Sequence, residues 1–179
     1  MQAFSRLGFG LEGEIHLMNK TNRLLRIYLN DHLAGATVGV ELAKRSQKSN
    51  KGTPLGDFLA EFVADVSADK AQLEELMAKV GAGRNMMKSG VGWVAEKMGR
   101  LKSNGQLAGY SDLSRLIELE GLMVGVTGKI GLWRSLSEAF PPPQPPPADF
   151  QGLLQRAQAQ LEELRHHHQG AAAEAFRRG

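Results

Sequence analysis

Between residues 55 and 80 apolar side chains return at alternating steps of four and three, at Leu55, Leu59, Phe62, Val66, Leu73, Leu76 and Val80, with Asp69 on the same seam. Such a period lies along one side of an α-helix and fits neither face of a strand. An isolated helix is marginal in water, so a seam of this length requires a second apolar surface to cover it. The chain is therefore built from packed helices.

The rest of the sequence supplies the partners. Thr21 is placed to cap a helix running to about Ser49, with Leu25, Tyr28, Leu29, His32, Ala36, Val40 and Ala43 at helical spacing. Thr53 followed by Pro54 starts the helix of the long seam, because proline at the first helical position loses no hydrogen bond. A shorter helix is expected around Met87, Val91, Val94, Met98 and Leu101. Ser111 caps another, carrying Leu113, Leu116, Ile117, Glu120, Met123, Val124, Thr127, Ile130 and Trp133 on one broad stripe as far as Phe140. The run PPPQPPP then forces an extended spacer. Asp149 restarts a last helix with Phe150, Leu153, Leu154, Ala157, Leu161 and Leu164 on one side. Strand-like alternation is absent throughout. The domain expectation is an N-terminal extension over 1–20, a helical bundle over 21–140, a spacer over 141–148, and a C-terminal helix and tail over 149–179.

Composition narrows the chemistry. The 179 residues are 42% hydrophobic and 23% charged, ordinary values for a globular chain. With no cysteine there is no disulfide, thiolate metal site or cysteine nucleophile, which fits a reducing cytoplasm. The 22 basic residues are scattered among 19 acidic ones, so the formal charge of +3 is a poor footprint for nucleic acid. The first 20 residues lack an uninterrupted apolar stretch, so neither a secretory signal nor a membrane anchor is expected. The apolar run from Leu119 to Trp133 carries Glu120 and Lys129 and falls short of the ~20 residues a membrane span needs.

Three ionisable residues, His32, Asp69 and Glu120, sit on stripes that face a core, where an unpartnered charge is expensive. Folding the helices as hairpins places His32 opposite the turn from Asp69 to Leu73, and Asp69 level with Glu96, Lys97, Glu118 and Glu120. Glu61 and Asp65 lead toward Asp69 at four-residue steps. A carboxylate and histidine layer inside a bundle is the donor set of an iron or manganese site, which makes His32, Glu61, Asp65, Asp69 and Glu120 the candidate ligands. The competing expectation is a structural ion-pair network in which Lys97, Lys129 or Arg134 neutralises the acids.

Glycines inside helices cost roughly 1 kcal/mol each relative to alanine and need a reason. Gly35 and Gly39 share one face, as do Gly121, Gly125 and Gly128. The expectation is close backbone approach between two core helices, with a ligand or partner groove as the alternative.

The runs YLNDHLAGATVGVELAKR, TPLGDFLAEFV, GWVAEKMGRLK and GYSDLSRLIELEGL resemble a family of small bacterial proteins of ferritin-like bundle architecture. The likeness spans roughly residues 21 to 170. It implies an all-α antiparallel bundle, ferritin-like or up-down, with a proline-tethered C-terminal amphipathic helix, and it transfers no catalytic residue. A di-iron bundle uses two Glu-x-x-His pairs, whereas this chain has one, Glu163 and His166. Either the helix near 87–101 or the one after the spacer supplies the fourth bundle helix.

His166, His167 and His168 form a run read as a solvated face. The basic stretch from Lys44 to Lys51 suits a helix C-terminus. P-loops, dinucleotide-binding glycine patterns and nucleophile elbows need strands this chain lacks. The functional expectation is a non-catalytic bundle acting by self-association or by binding a protein partner, with metal binding as the alternative.

Overall fold

A computed structural model describes residues 5–82, 110–141 and 146–177, with side chains described from residue 23 onward. Among the described residues all regular structure is helical: α1 (Ser5–Ser49), α2 (Pro54–Lys79), α3 (Asp112–Ala139) and α4 (Phe150–Phe176). The all-α bundle expected from the sequence is what folds. None of these helices is long and apolar enough to cross a membrane. The expected helix at 87–101 lies outside the described residues, and the fourth helix packed into the described bundle is the proline-tethered α4.

The start of α1 departs from expectation. Thr21 lies inside the helix, which begins at Ser5 and takes in most of the expected N-terminal extension. A threonine acts as a cap only when the residues before it leave the helical conformation, and no proline stands there to force that.

The other ends follow their sequence signals. Thr53 is extended and its hydroxyl accepts from the Gly56 N–H at 3.1 Å, with Pro54 next in line. Ser111 accepts from Ser114 N–H at 3.1 Å and Asp149 from Gly152 N–H at 3.0 Å. The α2 C-terminus closes through Gly81 at φ +68°: Ala82 N–H reaches Met77 O at 2.8 Å and Gly81 N–H reaches Ala78 O at 3.2 Å. That pair of bonds satisfies carbonyls the helix would otherwise leave open. Gly56 is required for another reason, since a Cβ there would sit 2.1 Å from the Asn50 carbonyl oxygen.

Helices α1 and α2 form one antiparallel hairpin and α3 and α4 a second; α1 also lies along α3, and α4 touches α2. Leu42 and Arg45 of α1 meet Gly121 and Glu118 of α3, so these two helices are antiparallel. Arg115 near the start of α3 meets Glu174 near the end of α4. Helices α2 and α3 consequently run the same way across a diagonal.

The core is leucine-rich. Leu29, Leu59, Leu73, Leu76, Leu119, Leu136 and Leu164 are essentially inaccessible, together with Trp133. At the end nearest the spacer, Trp133 stacks on Phe150 at 6.4 Å between ring centroids, and Phe150 packs on Phe140 at 6.1 Å. These rings pin the start of α4 to the end of α3.

Candidate functional site

Among the described residues the bundle opens between α1 and α3. Past the contact between Leu42 and Gly121, a Cβ added at Gly35, Gly39, Gly125 or Gly128 would meet nothing within 4 Å among the described residues. Among the described residues Gly35, Gly39, Gly125 and Gly128 therefore show no close backbone approach, and at Gly121 the near neighbour is a side-chain atom, Leu42 Cδ2, 3.0 Å from where a Cβ would lie. Small residues on facing helices permit close approach but do not compel it. Here they line a groove of about 480 Å³.

Phe62, Val66 and Leu73 of α2 and Leu122, Val126, Leu132 and Trp133 of α3 give the groove apolar walls. Val124 is 73% exposed and extends the apolar surface between the α3 glycines. Tyr28 and His32 line it from α1, with the His32 ring edge-on to Tyr28 at 4.5 Å. Burial lowers the His32 pKa from its ordinary value, and the charge of Asp31 opposes that shift. Volume and lining fall in the range of ligand and partner clefts.

Asp69 and Lys129 also line this groove, and they belong to a network that reaches α4. Lys129 Nζ donates to Asp69 Oδ2 at 2.5 Å and also to Gln160 Oε1. Arg156 donates to the other Asp69 oxygen. Gln160 in turn donates to Asp65 Oδ2 at 3.3 Å. One buried carboxylate thus holds cations from two helices, which is how a charge on a core seam avoids the cost of standing alone. Burial lowers the Lys129 pKa, the charge of Asp69 and its hydrogen bond oppose this, and Arg156 adds to it.

A second network ties the opposite end. Glu118 is buried, paired with Arg45 at 2.8 Å, and accepts from the Tyr110 hydroxyl at 3.0 Å. The same hydroxyl accepts from Asn50 Nδ2 at 2.9 Å, and Asn50 Oδ1 accepts from Arg115 Nε at 2.9 Å. Burial pushes the Tyr110 pKa up to about 12; the Asn50 hydrogen bond pulls against this and Glu118 adds to it.

The five candidate metal ligands are dispersed. His32 and Asp69 both line the groove, as the hairpin register predicts. Glu120 lies on the α3 surface, facing His168 Nε2 at 3.3 Å. Glu61 and Asp65 are exposed on α2. Among the described residues no three histidine, aspartate or glutamate side chains gather to hold a metal ion. For Asp69 the ion-pair expectation applies, with Lys129 as its foreseen partner and Arg156 as one the sequence did not reveal. Glu118, not Glu120, is the buried acid of α3, and in the sequence only the hairpin register, which sets it level with Asp69, points to it. His167 stacks on Phe58 at 4.6 Å, so the histidine run is part of the α4 packing face and not wholly solvated.

No protein family matches this chain, and neither does any curated protein or solved structure.

Proposed function

We propose that this chain is a non-catalytic helical-bundle protein that acts by association, with the α1–α3 groove as the contact surface for an apolar segment of its partner. The observation that carries this reading is the set of helix-interior glycines over which no described residue packs. Each weakens its helix by roughly 1 kcal/mol, and no packing contact from a described residue explains the loss at four positions. A partner that needs the room does explain it. Asp69 and Lys129 are spent on one another and on Arg156, and Lys70 on Glu74, so apolar surface does most of the recognition, with Tyr28, Asp31 and His32 as the polar groups at its α1 edge. An amphipathic helix laid into an apolar cleft is the familiar form of such recognition.

The test fills the groove. In a Gly35→Leu/Gly125→Leu variant both side chains enter space that no described residue occupies, so helicity by circular dichroism should match the parent. Saturable binding of an apolar fluorescent probe such as anilinonaphthalene sulfonate, and of a model amphipathic helical peptide, should be lost. Undiminished binding by the filled variant would remove the groove as the contact surface.

A further inference from the structure

We infer that the α1–α3 groove also takes a single-chain amphiphile with an uncharged oxygen head, its hydrocarbon tail toward Gly121 and its head accepting from the indole N–H of Trp133. The inference rests on the reading of the groove as a binding surface and gives it a second class of occupant, which would exclude the partner segment while bound.

The groove is polarised along its length. Leu42 against Gly121 and Arg45 paired with Glu118 set the antiparallel register of α1 and α3. In that register Tyr28, Asp31 and His32 stand near the turn of α3 from Lys129 to Trp133, and Asp69 joins them through its pair with Lys129. Gly39 and Val40 of α1, Phe62 and Val66 of α2, and Leu122 and Val126 of α3 make the other end. Among the described residues no charged or hydrogen-bonding side chain lines that end. From Tyr28 to Val40 the groove follows α1 for roughly 18 Å at about 1.5 Å per residue. Its volume of about 480 Å³ lies in the range of small-molecule clefts. An amphipathic helix is polar on one side along its whole length, whereas a chain with a head is polar at one end. The lining matches the second pattern.

Trp133 supplies the hydrogen bond for the head. The residue is 1% exposed, belongs to the wall of the polar end, and its Nε1 has no acceptor among the described residues. Buried indole N–H groups ordinarily find a partner, so an orphan in the wall of a cleft points to an acceptor that arrives with a ligand. Charge decides which acceptor. Around the polar end Asp31, Asp69 and Glu74 balance Lys70, Lys129 and Arg156, so an ionised head finds no excess of opposite charge. His32 adds none near neutral pH, because burial lowers its pKa from the ordinary 6.5 against the charge of Asp31. A hydroxyl or carbonyl oxygen accepts from Trp133 without the desolvation penalty of an ion.

Calorimetric titration of the full chain at pH 7.5 with 1-decanol, decanoate and decylammonium reads the head preference. Decanol should bind saturably and more tightly than either ion; tighter binding of an ion refutes the uncharged head. Trp133→Phe keeps an aromatic ring beside Phe150 and removes the N–H, so decanol should bind it about five-fold more weakly, the weight of one hydrogen bond. Equal affinity in the two chains would overturn the inference. A second readout leaves Trp133 in place. The chain has two tryptophans, so in a Trp93→Phe chain the remaining indole N–H resonance belongs to Trp133. Saturating decanol should move that resonance downfield, and an unmoved resonance also overturns the assignment.

The Gly35→Leu/Gly125→Leu chain separates this result from the groove itself. Decanol bound undiminished by the filled chain lies outside the groove, which refutes the inference. If the parent binds the model amphipathic peptide and the filled chain does not, yet decanol binds neither, the amphiphile falls and the groove reading stands. If the parent binds neither peptide nor decanol, both fall.

Discussion

Helix α3 has two very different sides. Toward α4 it presents Trp133, stacked on Phe150, in a filled interface whose core also holds Leu136, Leu153, Ala157 and Leu164 and which is closed at its far end by an Arg115–Glu174 ion pair. Toward α1 it presents Gly121, Gly125 and Gly128 with Val124 exposed among them, and beyond Gly121 no described atom lies near the positions where side chains would be. Among the described residues one helix therefore carries a filled interface and an open one. The filled interface fixes the fold; the open one is where the proposed partner would lie.

Three changes would break or sharpen that contrast. The largest effect belongs to the filled side: Leu164→Ala, at a fully buried position, should cost about 2–5 kcal/mol of unfolding free energy by denaturant titration. A loss under about 1 kcal/mol would mean that α4 is only loosely docked. On the open side the sign reverses. Gly125→Ala adds a methyl group where no described residue lies within 4 Å and should stabilise the chain by roughly 0.5–1 kcal/mol, so destabilisation in the same titration would reveal a neighbour in the groove.

The smallest effect is pH dependence, and it has a contribution from each side. Burial lowers the pKa of His32 at the groove and of His167 against Phe58. A base with a depressed folded pKa binds fewer protons folded than unfolded, so stability is intact above the ordinary histidine value of about 6.5. It declines as pH falls through that value and is fully lost below the folded pKa. Melting temperature should fall modestly between pH 7.5 and 5.5, and less steeply in His32→Gln and His167→Gln chains. A double variant with the parent slope would assign the pH dependence to other groups.

The sequence disclosed the architecture far better than the use to which it is put. The period of the long seam identified α2 and put Asp69 inside it, and both are observed; the cap chemistry of Thr53, Ser111 and Asp149 located three helix starts. Hairpin register brought His32 and Asp69 to one groove, because antiparallel helices of known turn position leave little freedom along the axis. What failed was whatever depended on distance or on azimuth around an axis. Glycine faces do not state whether the opposing helix is near or far. Glu118 and Glu120 differ by two residues, about 200° of helical rotation, and a broad apolar stripe did not decide which one turned inward. Arg156 could be joined to Asp69 only once α4 was known to occupy the fourth corner.

The carboxylate of Asp69 bears on the order in which the molecule assembles. It belongs to the first hairpin, whereas Lys129 and Arg156 belong to the second, so none of the three is neutralised by these pairings while the hairpins remain apart. Each hairpin can form from contacts close in sequence, which is the fast part of helical folding. Joining them strips water from one acid and two cations at the same moment, and that desolvation is recovered only after all three are in place. The halves of this chain should form quickly, with the kinetic barrier falling at the instant they meet.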